Sequence, residues 1–395
     1  MKPAFLLLLA LAGPALALPS PELGVYPDHP TARSRSVNEI LERTSTPEVQ
    51  LAPGYSAKRQ EIVQMYRNFG IDLSLTPKEL RTFLPRTWSK QTPQPLLGPY
   101  RQPYSVDSTF YQPIPTNSPR VALPVGYINS VSFAARGGTN TQQGFIIADK
   151  NDPPQTLRRL DDNQILRRRL PLNILDAIPA GGTDKHLTIV DSTDNTVFTC
   201  FQAKLSEGGG RLTCKYTAGP THLGNLGDQG GGTNATKIPN LAMVLREGEA
   251  NNPNQPIPHA LTGPIGQNWK AIVYPGLGMD KYIQRVNTGL VPYGGILQLD
   301  PKLDLKQIQV DGRSLSLPAR RILEAIQTYG FYVNDNRPDR SLPGSKGTSL
   351  SVWTVVRAEE LSADRGKNLQ AVQAEVRQVL NQNTLYVVPP VVKKS

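Results

Sequence analysis

The stretch that decides the fold reads Asp184-Lys-His-Leu-Thr-Ile-Val-Asp191, then Val197-Phe-Thr-Cys-Phe-Gln-Ala-Lys204, then Arg211-Leu-Thr-Cys-Lys-Tyr216. In the first run, His186, Thr188 and Val190 point to one side of a strand and Leu187, Ile189 and Asp191 to the other, and the second run is β-branched and aromatic. Residues that favour turns separate the runs, at 191–195 and at 207–211. This pattern predicts a three-strand antiparallel meander.

The only two cysteines of the chain, Cys200 and Cys214, lie on the second and third of these runs. Neighbouring antiparallel strands bring Cα atoms within the range of a disulfide. Closing a loop of this length contributes about 3 kcal/mol in the chain-entropy model. We therefore predict a Cys200–Cys214 disulfide, with two buried free thiols as the alternative.

The N-terminus has the form of a secretory signal peptide. An apolar run, 4–12, is followed by Ala15-Leu-Ala17, which fits the small-residue cleavage pattern. The run is too short to span a bilayer, and no later stretch is apolar enough to do so. We predict cleavage of residues 1–17, no membrane span, and a secreted, extracellular or periplasmic location, where disulfides persist.

The chain is basic, with 43 Lys and Arg against 32 Asp and Glu and a formal net charge of +11. A basic exported protein attracts acidic polymers such as uronates, teichoic acids, nucleic acid or anionic lipid. No nucleic-acid partner is expected, because that interpretation depends on net charge alone. Arg158-Arg159 and Arg167-Arg-Arg169 are interpreted as solvated surface, with an arm that contacts an acidic polymer as the alternative.

Four segments follow from the composition. Residues 1–17 are the signal peptide, and 18–107 form a leader with a small helical hairpin at 56–86 and a Pro-rich wrap from 87 onward. A β domain spans 108–356, and 357–395 form a C-terminal helix and tail. Thr76-Pro-Lys-Glu79 has the form of a capping box. Leu317 to Tyr329 is the clearest helix, with a proline at its start and Gly330 after its end.

Several motifs in the β domain carry a resemblance. They are Ser108-Thr-Phe-Tyr-Gln-Pro-Ile-Pro, Asp184-Lys-His186, Pro258-His-Ala-Leu, Tyr293-Gly-Gly-Ile-Leu-Gln-Leu-Asp-Pro, and the helix and strand at 319–332. Over 108–335 the chain resembles a group of largely uncharacterised secreted bacterial proteins, from which it departs in its long Gly/Asn loop at 224–237.

This resemblance implies a mainly β fold. The core would be an antiparallel β-sandwich of the jelly-roll or concanavalin-like type, with a small helical N-terminal appendage and a C-terminal helix. It implies no activity of its own. By fold analogy alone, such sandwiches are common among polysaccharide lyases, glucanases and lectins.

Two of the four histidines, His186 and His259, lie in strand-like contexts beside polar residues. Two histidines on one sheet face can act as general base and acid near neutral pH. Gln202 is expected on the same side as His186, where its amide would stabilise a uronate carboxylate, and Tyr332 is the expected proton donor. The alternative is one buried, hydrogen-bonded histidine and one surface histidine.

Substrate contacts are assigned to Lys185 and Lys204 for their charge, to Tyr293, and to Asn234 in the long loop. For hydrolysis by paired carboxylates, the available acids are Asp184, Asp191 and Asp300, but no tight Glu-x-Asp-x-Glu spacing appears. No metal and no cofactor is expected, because the histidines are scattered without ligand spacing.

The sequence therefore predicts a secreted carbohydrate-active protein. The first hypothesis is a polysaccharide lyase on an acidic polysaccharide or cell-envelope glycan, which uses His186, His259, Gln202 and Tyr332. The alternative is a non-catalytic carbohydrate-binding or envelope-associated β-sandwich. Geometry discriminates them, because the lyase needs His186, Gln202 and His259 in one cleft.

Overall fold

A computed structural model describes most of the chain after the leader. It covers residues 35–83, 103–105, 107–136, 143–179, 181, 183–206, 211–224, 227, 230–280, 287–336, 348–357, 361 and 368–391. The predicted signal peptide and most of the proline-rich segment at 87–102 lie outside these residues. Among the described residues strands predominate, which confirms the mainly β class.

Six helices are described, some at positions predicted from sequence. Ser36 caps the first with a reciprocal pair of bonds, in which its Oγ accepts from the Glu39 amide and the Glu39 carboxylate accepts from the Ser36 amide. The helices are α1 Val37–Thr44, α2 Tyr55–Asn68, α3 Pro77–Phe83, α4 Ile174–Ala177, α5 Leu317–Thr328 and α6 Leu369–Gln382.

Nineteen strands are described. They are β1 Val121–Ala122, β2 Ile128–Arg136, β3 Gln143–Ala148, β4 Pro154–Arg159, β5 Ile165–Arg169, β6 His186–Asp191, β7 Thr196–Phe201, β8 Lys204–Leu205, β9 Leu212–Cys214, β10 Tyr216–His222, β11 Leu261–Ile265, β12 Asn268–Ile272, β13 Val291–Tyr293, β14 Ile296–Leu299, β15 Gln309–Val310, β16 Arg313–Ser314, β17 Phe331–Asn336, β18 Thr348–Arg357 and β19 Leu385–Val388.

The strands form mixed sheets. The largest has the order β1-β19-β14-β17-β11-β18-β2, a second has the order β10-β7-β6-β3, and a third has the order β5-β4-β9-β8. β11 pairs with β17 in parallel, as do β18 with β2, β3 with β6, and β4 with β9. The expectation of purely antiparallel sheets did not include these pairs, because the two-residue period within a strand carries no information about the direction of its neighbour.

Helices α5 and α6 pack on the seven-stranded sheet and complete its core. Ile322, Leu323 and Ile326 form the buried stripe of α5, as its periodicity predicts. Gly330 ends the helix with a φ of +85°, and a Cβ there would lie 2.4 Å from Ile296 Cγ2. Only glycine therefore fits both the backbone conformation and the space at this turn.

The N-terminal helices belong to the same core. Ile62 and Tyr66 of α2 are fully buried, and Tyr66 Oη donates to the Val388 carbonyl at 3.2 Å. Arg59 on α2 donates to the Gly289 and Asn287 carbonyls and lies over the Trp269 ring. Helix α2 is thus packed against the β domain. No described helix is long and apolar enough to cross a bilayer.

The first two strands of the central meander are confirmed, and its third run pairs antiparallel with the second but is divided between two sheets. β6 and β7 pair antiparallel, but the run after the glycine turn divides at Lys215. Its first part, β9, pairs with β8 and β4, and its second part, β10, pairs with β7. The predicted disulfide is confirmed, with a Cα–Cα distance of 5.4 Å between Cys200 and Cys214. It therefore joins strands of two different sheets.

Candidate functional site

A loop of residues 230–240, here called the bridging loop, joins the second sheet to the seven-stranded sheet. Its Thr233 Oγ1 lies 2.7 Å from His186 Nδ1 at the start of β6, and its Thr233 carbonyl accepts from Tyr216 Oη at 2.6 Å. On the other side, the Thr236 amide donates to the Asn334 carbonyl at 3.1 Å. The loop therefore brings the beginning of β6 close to the end of β17.

Buried amides hold this loop in place. Asn240 Nδ2 donates to Gln143 Oε1 at 3.0 Å, and Asn334 Nδ2 donates to Asn240 Oδ1 at 3.3 Å. Asn234 donates to the Ile238 carbonyl at 2.6 Å and accepts from Thr236 Oγ1 at 2.9 Å. Asn234, predicted as a substrate contact, is fully buried and engaged within the loop. Its side chain positions the loop.

His186 lies beneath the bridging loop and is 1% exposed. Its ring packs between Phe201 and Trp353, with centroids 5.3 and 5.4 Å away. Burial, with a smaller contribution from the charge of Lys237, lowers the pKa of His186 to about 3. The imidazole is therefore neutral at physiological pH, and its Nε2 has no hydrogen-bond partner among the described residues.

Three aspartates from distant parts of the chain, Asp184, Asp280 and Asp335, interact electrostatically and are here called the carboxylate cluster; of these, Asp335 contacts the bridging loop. Burial is the main cause that raises the pKa of Asp335; two hydrogen bonds lower the pKa and the negative charges of Asp184 and Asp280 raise it, which leaves it at about 7. Those bonds come from the amides of Asn336 at 2.8 Å and Ala235 at 3.3 Å. Burial, and then Asp280, also raise the pKa of Asp184.

Two tyrosines line this cluster. Burial raises the pKa of Tyr293 and that of Tyr216, and in both cases the charge of Asp335 adds to the effect. Tyr216 stacks on Phe201 with centroids 4.7 Å apart, and Lys237 Nζ lies 5.0 Å from the Tyr216 ring centroid. The site thus offers carboxyl groups, phenols and one ammonium group around a partly exposed region.

Two predicted residues flank Asp184. The backbone amide of Gln202 donates to the backbone carbonyl of Asp184 at 2.7 Å, and that of Ala203 donates to the backbone carbonyl of Lys185 at 3.1 Å. Gln202 and Lys185 both have positive φ, of 53° and 39°. Their backbone geometry fixes the turn that carries Asp184, whereas Lys204 is exposed on β8.

His259 lies in a separate buried ion pair. Its Nδ1 donates to the Ala260 carbonyl at 2.7 Å, and its Nε2 is 3.1 Å from both oxygens of Glu249. Arg246 Nη1 donates to the same carboxylate at 2.9 Å. Burial alone would raise the pKa of Glu249, but the charges of His259 and Arg246 and their hydrogen bonds lower it to about 2.

Tyr332 is buried in an apolar cluster. Its Oη lies 3.0 Å from Thr109 Oγ1, its ring meets Phe110 edge-on at 5.3 Å, and burial raises the pKa of its phenol. Among the described contacts, those of His186, His259 and Tyr332 have no residue in common. No described contact indicates that these three side chains line one cleft, and their catalytic role stays a prediction.

Sequence reasoning named Asp184 but missed Asp280, Asp335 and Tyr216. The two other named acids serve turns, since Asp191 accepts from the Thr193 amide and Asp300 from the Lys302 amide. One feature of the sequence could have indicated Asp335: it is a polar residue that follows an apolar run, at the end of the strand after α5. Within the described ranges, no group of three His, Cys, Asp or Glu side chains is arranged to hold a metal ion.

Comparison with known proteins adds no assignment to this geometry. No family model matches the chain, and neither a curated protein nor a solved structure matches it.

Proposed function

We propose that the chain is an exported carbohydrate-active enzyme that hydrolyses a glycosidic bond at the carboxylate cluster. One observation carries this proposal: the Asp335 carboxyl group, with a pKa of about 7, is held by two backbone amides and is within electrostatic range of a second carboxylate, Asp184. Glycosidases need one protonated and one ionised carboxyl group at the same pH. Unequal environments of two neighbouring acids supply that pair.

The roles follow from the charges. Asp335 donates its proton to the glycosidic oxygen as the bond between that oxygen and the anomeric carbon breaks. Asp184 takes a proton from the water that attacks the anomeric carbon, which is the inverting sequence of steps. Burial keeps the pKa of Asp335 high, and the negative charge of Asp280 adds a smaller contribution. Tyr216, which is partly exposed, would contact a sugar hydroxyl, whereas Tyr293, predicted as a substrate contact, is fully buried.

The substrate class follows from electrostatics. Three carboxyl groups in one site repel a uronate, so the cluster favours a neutral or amino sugar. This substrate differs from the acidic polysaccharide expected from the sequence. A lyase at His186, His259, Gln202 and Tyr332 and the jelly-roll arrangement stay predictions that the described contacts leave untested.

Non-catalytic glycan binding is the second candidate. It is favoured by the hydrogen bonds that Asp335 already accepts from the Ala235 and Asn336 amides, which hold its carboxyl group in place. The aromatic stack of Tyr216 on Phe201 offers a surface of the kind on which sugar rings pack.

The test is release of reducing ends from a panel of neutral and amino-sugar polysaccharides. Asp335→Asn and Asp184→Asn are each expected to lower the rate by about 100-fold or more. Asp311→Asn is the matched control, because Asp311 is exposed at a turn with a φ of 52° that asparagine accepts.

A parallel assay of absorbance near 235 nm on uronate polysaccharides uses His186→Ala and His259→Ala. If the absorbance rises, both substitutions abolish the rise and the neutral polysaccharides are not hydrolysed, then the chain is a lyase and the hydrolase proposal is wrong. Saturable glycan binding without either reaction, lost in Asp335→Asn, would establish the binding protein.

A further inference from the structure

Exposed large apolar side chains are concentrated in one stretch of the chain. Among the described residues there are six, and five of them fall between 147 and 175. They are Ile147 at 45%, Leu160 at 39%, Ile165 at 61%, Leu172 at 83% and Leu175 at 61% exposed, and the sixth, Val125, is 68% exposed. Single exposed apolar residues are ordinary, but such a concentration marks an interaction surface.

The hairpin of β4 and β5 presents apolar and cationic side chains to solvent together. Leu157 is paired with Leu166 and packs inward, in a buried apolar cluster that includes Leu187, Phe198 and Leu212. Because side chains alternate across a strand, the next pair, Arg158 and Ile165, faces outward. Arg167 lies two residues from Ile165 and shares that outward face.

Helix α4 and the turn before it add two exposed leucines, Leu175 and Leu172. Its Ile174 and Ala177 are buried, and α4 packs on β3 so closely that a Cβ at Gly144 would lie 1.9 Å from the Ala177 carbonyl oxygen. This packing fixes the orientation of α4 and leaves Leu172 and Leu175 in solvent. Their exposure is therefore built into the fold.

The arginines of this hairpin are mostly engaged by neutral partners. Among the described residues, Arg159 is paired with Asp162, whereas Arg158 donates to the Asn163 side chain. Arg168 and Arg169 donate to backbone carbonyls. Their positive charge therefore stays available to an external anion.

We propose that the outward side of the hairpin and the exposed leucines near α4 form one face, here called the Arg/Leu face, which docks on an anionic lipid surface. The guanidinium groups of Arg158 and Arg167 would contact lipid phosphates, while Ile165, Leu172 and Leu175 would enter the boundary between headgroups and acyl chains. A free polyanion also attracts arginines but gives no reason to expose leucines. This inference is independent of the carboxylate cluster and assigns a second, peripheral site to the chain.

The test is co-sedimentation of the full chain with vesicles. Binding is expected to vesicles that contain phosphatidylglycerol, to be weak with phosphatidylcholine alone, and to fall as salt rises. Each lost arginine near such a surface weakens binding by about fivefold, so Arg158→Gln with Arg167→Gln is expected to weaken it more than tenfold.

The apolar variant combines Ile165→Ser, Leu172→Ser and Leu175→Ser, and it is expected to lose most of the binding. Val125→Ser is the matched apolar control and Arg313→Gln the matched charge control, since both residues are exposed outside the Arg/Leu face. Both controls are expected to bind as the unaltered chain does. Circular dichroism checks that every variant is folded.

Three results would overturn the proposal. One is the absence of binding to phosphatidylglycerol vesicles. Another is an apolar variant that binds normally while the arginine variant fails and a soluble polyanion competes, which would make the partner a polyanion. The third is a dimer in solution that the apolar variant dissociates, which would make the partner a second copy.

Discussion

Two carboxyl groups of this protein, Glu249 and Asp335, have pKa values that are shifted in opposite directions. Burial raises the pKa of each, yet that of Glu249 falls to about 2 and that of Asp335 rises to about 7. Glu249 meets the positive charges of His259 and Arg246, whereas Asp335 meets the negative charges of Asp184 and Asp280. The sign of the neighbouring charge therefore decides the protonation state.

The comparison also separates structure from chemistry. The Glu249 site is closed, with both partners buried or nearly so, and such ion pairs hold a fold in one arrangement. The Asp335 site is partly exposed and contains several carboxyl groups of like charge, whose ionised forms burial disfavours. Crowded acids with raised pKa values are typical of functional sites.

The largest expected effect comes from breaking the ion pair. Glu249→Gln removes the negative charge and leaves His259 and Arg246 without a counter-ion in a buried location. We expect the free energy of unfolding to fall by about 3–5 kcal/mol. Urea denaturation monitored by tryptophan fluorescence measures this loss.

Glu324→Gln is the control for that experiment. Glu324 is paired with Arg321 at 2.7 Å but lies partly exposed on α5, where such pairs contribute about 1 kcal/mol or less. Equal losses in the two variants would contradict the distinction. Because the folded pKa of Glu249 is depressed, its contribution is present above pH 4.5 and is lost as the pH falls through about 2.

The second effect has the opposite sign and the opposite pH window. The folded pKa of Asp335 is raised from 3.8, so its protonated form favours the fold below pH 3.8 and this contribution is lost as the pH rises through about 7. Asp335→Asn keeps a neutral group there. We expect it to stabilise the chain at pH 8 by on the order of 2 kcal/mol, and to change stability little at pH 4.

Denaturation curves of wild type and Asp335→Asn, recorded at both pH values, check this prediction. A variant that is less stable than wild type at pH 8 would show that the ionised carboxylate has a favourable partner in the fold.

The smallest effect sharpens the origin of the raised pKa. Asp184→Asn removes one neighbouring negative charge, and we expect the pKa of Asp335 to fall by about 0.5–1 unit. The carboxyl ¹³C chemical shift of Asp335, followed against pH, reports this directly. Asp311→Asn is expected to leave the titration unchanged, and an equal shift in both variants would show that the charges do not interact locally.

Local features were predictable from the sequence because neighbouring residues determine them. The Thr76 capping box is present, with the Glu79 amide 3.3 Å from Thr76 Oγ1 and the Thr76 amide 2.7 Å from the Glu79 carboxylate. The bounds of α5 follow from Pro318 and Gly330. The cysteine pair was predictable since the chain has only two cysteines, and they lie on neighbouring strand-like runs.

The candidate site was less predictable, because it is assembled from segments that only the sheet topology brings together. The parallel pairing of strands and the bridging loop determine where Asp184 and Asp335 lie. Neither the strand pairing nor the loop conformation leaves a local pattern in the sequence. His259 shows the same difficulty, since its context in the sequence resembles that of a catalytic histidine while its partner, Glu249, lies ten residues away. The polar character of a position was visible, but its partner was not.

The bond between Cys200 and Cys214 also has a mechanical consequence. It connects β7 to β9, and β9 is the neighbour of the β4 strand that carries the Arg/Leu face. Tension applied to that hairpin is therefore transmitted to the second sheet through a covalent link, in parallel with the hydrogen bonds. A reducing agent removes this link, so the force needed to detach the hairpin from the rest of the molecule becomes a readout of the thiol–disulfide state.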